Sequence, residues 1–161
     1  MMSSFEDEEL VTREELEAFI GPTSKKPFYQ KALDNYLQNP NKPNWCWSSC
    51  IFSIFWFAYR KTLLPSILLA FIYFVLATVV PIQFLVPILL VIFVAIGLFG
   101  VNLYLILAEK DIKKIKHYHM MSSEEDTLTA ITKKGGITFY YPLFLYLILL
   151  VFFLAFSAKL F

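Results

Sequence analysis

From Thr62 to Ala108 the chain carries no Asp, Glu, Lys, Arg or His, and the same holds from Ile137 to Ala158. Uncharged runs this long exceed what a buried helix of a soluble domain needs. They match the hydrocarbon thickness of a bilayer, which about 20 helical residues cross. Only 17% of the 161 residues are charged and 58% are hydrophobic, whereas a soluble domain carries about 25% charged residues. The sequence therefore predicts an all-α integral membrane fold: an interfacial or re-entrant aromatic helix and three transmembrane helices, with short cytoplasmic helices.

The first run is too long for one crossing and must turn. "VVPIQFLVP" supplies the break, because Pro81 removes a backbone donor and disfavours a helical Val80, and Pro87 suits the first turn of a new helix. The expected hairpin (62–108) runs Thr62 to Val80 and Phe84 to Ala108, and a third crossing occupies 137–158. Orientation follows from the basic residues. Lys110, Lys113, Lys114, Lys116, Lys133 and Lys134 lie in the connection 109–136, while the hairpin turn has none. Lys and Arg are retained on the cytoplasmic side. The amino terminus is then cytoplasmic and the tail 159–161 external, which puts all of the 14 basic residues except Lys159 inside.

"NWCWSSCIFSIFWFAYRK" precedes the hairpin. As a helix, Trp45 to Tyr59 would be about 22 Å long, short of the hydrocarbon core, and crossing would place the lysine-rich connection outside. The segment 45–61 reads instead as interfacial or shallowly re-entrant. Trp45, Trp47, Trp56, Tyr59, Arg60 and Lys61 are expected as anchors at headgroup level.

The segment 1–44 is expected to be disordered over 1–10 and then to form two short helices. The first has a Thr12–Glu15 capping box, an apolar edge of Leu16, Phe19 and Ile20, and a Gly21-Pro22 stop. The second carries Phe28, Ala32, Leu33, Tyr36 and Leu37 at helical spacing. Beyond the second span, Ile112 and Ile115 mark one side of a basic helix. Ser122 to Glu125 reads as a further capping box, and Gly135 and Gly136 as a helix stop.

Four stretches, "FIG" at Phe19 to Gly21, "FSIFWFAYRK" at Phe52 to Lys61, "NLY" at Asn102 to Tyr104 and "KKGGIT" at Lys133 to Thr138, give the chain a specific likeness. It resembles a family of small bacterial inner-membrane proteins known only as a domain of unknown function, and departs from that pattern at Cys46, Ser48, Ser49 and Cys50. The resemblance implies a bacterial plasma membrane and this topology. It implies no activity.

Chemistry-bearing constellations are thin. Cys46 and Cys50 share a helical face, but zinc needs four ligands and the other soft donors, His117 and His119, stand two apart. Packing thiols and solvated imidazoles are expected, with no catalytic residue, metal or cofactor. No ionisable residue lies within a span, so no charge pathway is visible. Asn102, near Gly97 and Gly100, is expected to serve helix packing. Lys110, Lys113, Lys114 and Lys116 suit contacts with anionic phospholipid, against ordinary topology signalling. No nucleic acid partner is expected. The leading reading is a non-catalytic subunit or adaptor that binds other membrane or cytoplasmic proteins. The alternative is a homo-oligomeric channel or small transporter, and third stands a lipid-headgroup enzyme using Cys46 or His117.

Overall fold

The computed structural model describes residues 10–119 and 123–157. The expectations for residues 1–9 and for the tail 159–161 lie outside them. All regular structure among the described residues is helical. In order these are α1 (Arg13–Ile20), a 3-10 turn (Gly21–Lys25), α2 (Pro27–Gln38), α3 (Trp47–Tyr59), α4 (Leu63–Val79), α5 (Ile82–Tyr118), α6 (Glu124–Lys134) and α7 (Tyr140–Ser157).

Local chemistry sets most boundaries. Thr12 and Glu15 form a reciprocal capping box on α1, satisfying two of the amide donors that a helix start leaves free. On α6 the cap is Ser123, which accepts from the Asp126 amide. The expected box was one residue earlier, and its Ser122 is outside the described residues. Val80 and Pro81 separate α4 from α5, and α5 starts at Ile82 with Pro81 as its cap, so Pro87 lies inside the helix. At 37 residues α5 is about 55 Å long. Among the described helices it alone is long and apolar enough to cross a membrane by itself. The helix α4 has 17 residues, at the lower limit for a crossing.

One core gathers the helices at one end of the molecule. Leu16, Phe19 and Ile20 of α1, Leu33 and Tyr36 of α2, Trp56 and Phe57 of α3, Tyr104, Leu105 and Ile112 of α5, and Ile131 of α6 are all buried in it. The inward face of α2 is turned from the expected one, with Tyr29 buried while Phe28 and Leu37 are exposed. Tyr29 is the residue that meets the end of α3.

The first half of α3 turns apolar side chains outward, whereas Ile54, Trp56, Phe57 and Ala58 of its second half are buried. Ser49 and Ser53 are buried, whereas Trp47, Ile51 and Phe52 are exposed, Trp47 at 68%. In α4, Ser66 is buried and donates to the Ile54 carbonyl, while Leu64, Ile67, Leu68 and Phe71 face outward.

Candidate functional site

The chain enters α3 across the back of α5. The Asn44 and Cys46 amides donate to the Leu98 and Gly97 carbonyls at 3.0 and 2.8 Å, and the Ser49 hydroxyl reaches the Ile96 carbonyl at 3.1 Å. Residues 45 and 46 are thereby held out of the helix, which starts at Trp47. So close an approach needs small residues on α5. A Cβ at Gly97 would lie 2.9 Å from the Cys50 Cβ and 3.1 Å from the Trp45 ring, and one at Gly100 would lie 3.3 Å from Ser49.

Asn102, one turn further along, is held by the chain's own loop. Its amide nitrogen donates to the Pro40 and Lys42 carbonyls, both at 2.7 Å, and its oxygen accepts from Asn44 at 2.9 Å. Asn44 in turn accepts from Asn35 at 2.8 Å. The "QNPNKPN" loop, read from sequence as a helix stop, is thus also the lid on this amide.

The helix α3 breaks at Ser53, where φ is 41°, and its hydroxyl is hydrogen-bonded to the Tyr73 phenol at 2.7 Å. It ends in a Schellman-type cap. The Lys61 amide donates to the Ala58 carbonyl and the Thr62 amide to the Phe57 carbonyl, each at 3.0 Å. Lys61 itself takes the left-handed conformation, φ 59°, that this cap usually assigns to glycine.

That cap turns Arg60 inward, only 3% exposed, in place of the expected anchor to water and lipid phosphate. Its guanidinium carbon lies 4.5 Å from the centre of the Tyr29 ring, 5.5 Å from Tyr104 and 5.9 Å from Trp56. Nη1 donates to the Thr23 hydroxyl at 2.9 Å and to the Ile20 carbonyl at 3.5 Å. Trp56 and Tyr104 meet edge to face at 5.9 Å, and Phe19 lies 6.2 Å from Tyr104. No carboxylate pairs with Arg60 among the described residues; the ion pairs there are Arg13 with Glu17 and Asp34, Lys113 with Glu109, Lys116 with Glu15, and Lys134 with Asp111. Burying an ion costs several kcal/mol. Each ring offsets about 0.5–2 kcal/mol of that, and a hydrogen bond from a charged group about 1.5–3 kcal/mol. Rings and hydrogen bonds together are comparable to that cost.

The connection into α7 docks beside the cage. The Gly136 amide donates to the Phe19 carbonyl at 2.7 Å and the Thr138 amide to the Tyr59 carbonyl at 2.9 Å. Phe19, Trp56, Arg60 and Tyr104 thus gather in one cluster, with the Gly135–Gly136 pair against the Phe19 main chain.

The other sequence-singled residues are placed apart. Trp56 is buried, Tyr59 is half-buried against Phe139 at 5.1 Å, and Trp45 meets Trp47 edge to face at 5.0 Å. Lys61 Nζ donates to the Lys133 carbonyl at 3.2 Å. Of the four lysines on α5, Lys113 bonds Glu109 at 3.0 Å and Lys116 bonds Glu15 at 3.1 Å, while Lys110 and Lys114 are exposed. Cys46 Sγ contacts the Ser48 hydroxyl at 3.1 Å, and among the described residues no group of three His, Cys, Asp or Glu could hold a metal. One polar bridge went unread in the sequence. The Tyr36 phenol donates to Glu109 at 2.6 Å. Burial, then Glu109, pushes Tyr36 well above the usual phenol range, and the phenol's hydrogen bond holds Glu109 below the usual carboxylate range.

Compared with protein-family models, with curated proteins and with solved structures, the chain matches none.

Proposed function

We propose that this chain is a three-span protein of the bacterial inner membrane that acts as a non-catalytic subunit, binding another membrane protein through its spans. Membrane residence is supported by the length and apolarity of α5 and by the outward apolar side chains of α4 and of the first half of α3, a pattern suited to lipid outside and protein inside. The basic connection between α5 and α7 supports a cytoplasmic location for the packed core.

The observation that carries the subunit reading is the way the spans stand apart. The start of α7 packs against the short α3, and α7 then exposes Leu143, Phe144, Tyr146, Leu147 and Val151 over most of its circumference. In α4 a single stripe through Pro65, Ser66, Leu69, Ala70, Tyr73 and Leu76 is wholly or partly covered, and the other apolar side chains between Leu63 and Val79 face outward. Membrane helices associate by close packing and interhelical hydrogen bonds, and this chain leaves most of that surface to something else. The apolar edges of the extramembrane helices are largely occupied, since Leu33, Tyr36 and Ile112 lie in the chain's own core, while Phe28 and Leu37 are exposed. The docking surface accordingly shifts from the cytoplasmic helices to the membrane helices, and its occupant is a helix of another membrane protein. A channel lined by Asn102 loses support, because that amide is covered by the loop from Pro40 to Asn44.

The test is a photo-reactive residue at Phe144 or Phe71 in native membranes, read by intact-mass measurement. A defined adduct with one other protein is expected. Adducts with a second copy of this chain would favour the homo-oligomer, and lipid adducts alone would overturn both.

A further inference from the structure

Two buried polar atoms of the Arg60 cluster have no hydrogen-bond partner among the described residues. They are Arg60 Nε and the Tyr104 phenol oxygen, within a cluster where the guanidinium carbon stands 5.5 Å from the Tyr104 ring. The aromatic rings do not resolve this. They attract the cation through their faces, whereas the Nε–H bond lies in the guanidinium plane and needs an acceptor oxygen. A buried donor without an acceptor is disfavoured, and a buried cation without an anion more so. The described carboxylates that form ion pairs all engage other cations.

The missing partner therefore has a defined character: an oxygen acceptor that carries negative charge. The 3-10 turn borders the cluster. It carries the Thr23 hydroxyl already bonded to Arg60 Nη1 and ends at Lys25, followed by Lys26, both exposed. A guanidinium fork beside two hydroxyls, those of Thr23 and Tyr104, suits a tetrahedral oxyanion, whose several oxygens can be shared among them.

We propose that the Arg60 cluster is a binding site for one phosphate group, an oxygen of which accepts from Arg60 Nε and the Tyr104 hydroxyl. The phosphate comes either as the free ion or as the headgroup of an anionic phospholipid. The site does not depend on the subunit reading, because it is built wholly from one chain.

The test uses the full chain in detergent, stripped of lipid and phosphate, with its thermal midpoint followed as inorganic phosphate, short-chain phosphatidylglycerol or sodium chloride is added. A saturable rise with phosphate identifies the free ion, and one with phosphatidylglycerol alone identifies the lipid. Either supports the site, provided that Tyr104→Phe, which keeps the ring, weakens the response about tenfold, the loss of one hydrogen bond to a charged group, and that Lys31→Gln, at an exposed position, leaves it intact. No saturable rise with either probe would overturn the proposal. So would an equal rise in Tyr104→Phe, an equal rise with chloride, or a high-resolution map showing a lone water between Nε and the phenol.

Discussion

The Gly136 amide donates to the Phe19 carbonyl over 2.7 Å, and the Gly135 beside it has no room for a side chain, because a Cβ there would run into that same carbonyl. Main chain thus meets main chain where α6 ends on α1. The contact fixes the start of α7 against the end of α3, beside the Arg60 cage.

The two glycines are expected to fail differently. Gly135→Ala forces the backbones apart and should lower stability by about 3 kcal/mol, the upper range for overpacking. Gly136→Ala meets nothing within 4 Å but sits at φ 80°, so its loss is conformational, about 1 kcal/mol. Denaturation of the two variants in detergent checks the order, and a costlier Gly136→Ala would contradict the close contact.

Lys61 offers the opposite case. It occupies a left-handed position with a β-carbon, and its ammonium bond to the Lys133 carbonyl is exposed. Lys61→Gly should therefore stabilise the fold by about 0.5–1 kcal/mol. A loss of stability would mean that the ammonium contact outweighs the backbone strain.

The Tyr36–Glu109 bridge predicts how the packed core responds to pH. Glu109 titrates lower in the fold than in the open chain, so its contribution is present above about pH 4.3 and is lost as pH falls through the lower, folded value. Tyr36 titrates higher in the fold, so its contribution is present below about pH 10 and fades as pH rises through the raised value. Thermal midpoints of the protein and of Tyr36→Phe, followed from neutral to acid, should converge toward the acid end. Parallel curves would deny the coupling.

What the sequence made legible was local. Thr12 with Glu15, the proline break at Pro81 and the Gly135–Gly136 stop follow from residues a few positions apart, whose chemistry does not wait for the rest of the chain. The misread features depend on tertiary neighbours. Arg60 beside a tryptophan and a tyrosine looks the same whether it faces phosphate or a cage, and only Tyr29, Thr23 and Tyr104, distant in sequence, decide between them. The spacing of Trp56 and Arg60, four apart on one helical face, was the available signal. Phe28 and Tyr29 compete for the same inward face of α2, and the cation beneath it favours the ring that is buried. Asn102 looked like an isolated amide in an apolar helix because its partners are two backbone carbonyls and the side chain of Asn44, 58 positions away, which no local pattern reveals.

The aromatic helix α3 provides the most direct test of place. Trp47 is 68% exposed and Trp56 5% exposed, on one helix of 13 residues whose outward side also carries Ile51 and Phe52. If the outward face lies in lipid, a variant retaining only Trp47 should be strongly quenched by brominated phospholipid, most by bromines near the headgroup and least by those at the chain ends. A variant retaining only Trp56 should be shielded from both, because its ring packs on Tyr104 and Phe57. Quenching of Trp56 from mid-chain bromines would mean that α3 leaves the core and crosses the bilayer. Equal protection of Trp47 from lipid and accessibility to aqueous iodide would instead put this face in water and remove the outward apolar side of α3 as an argument for the membrane.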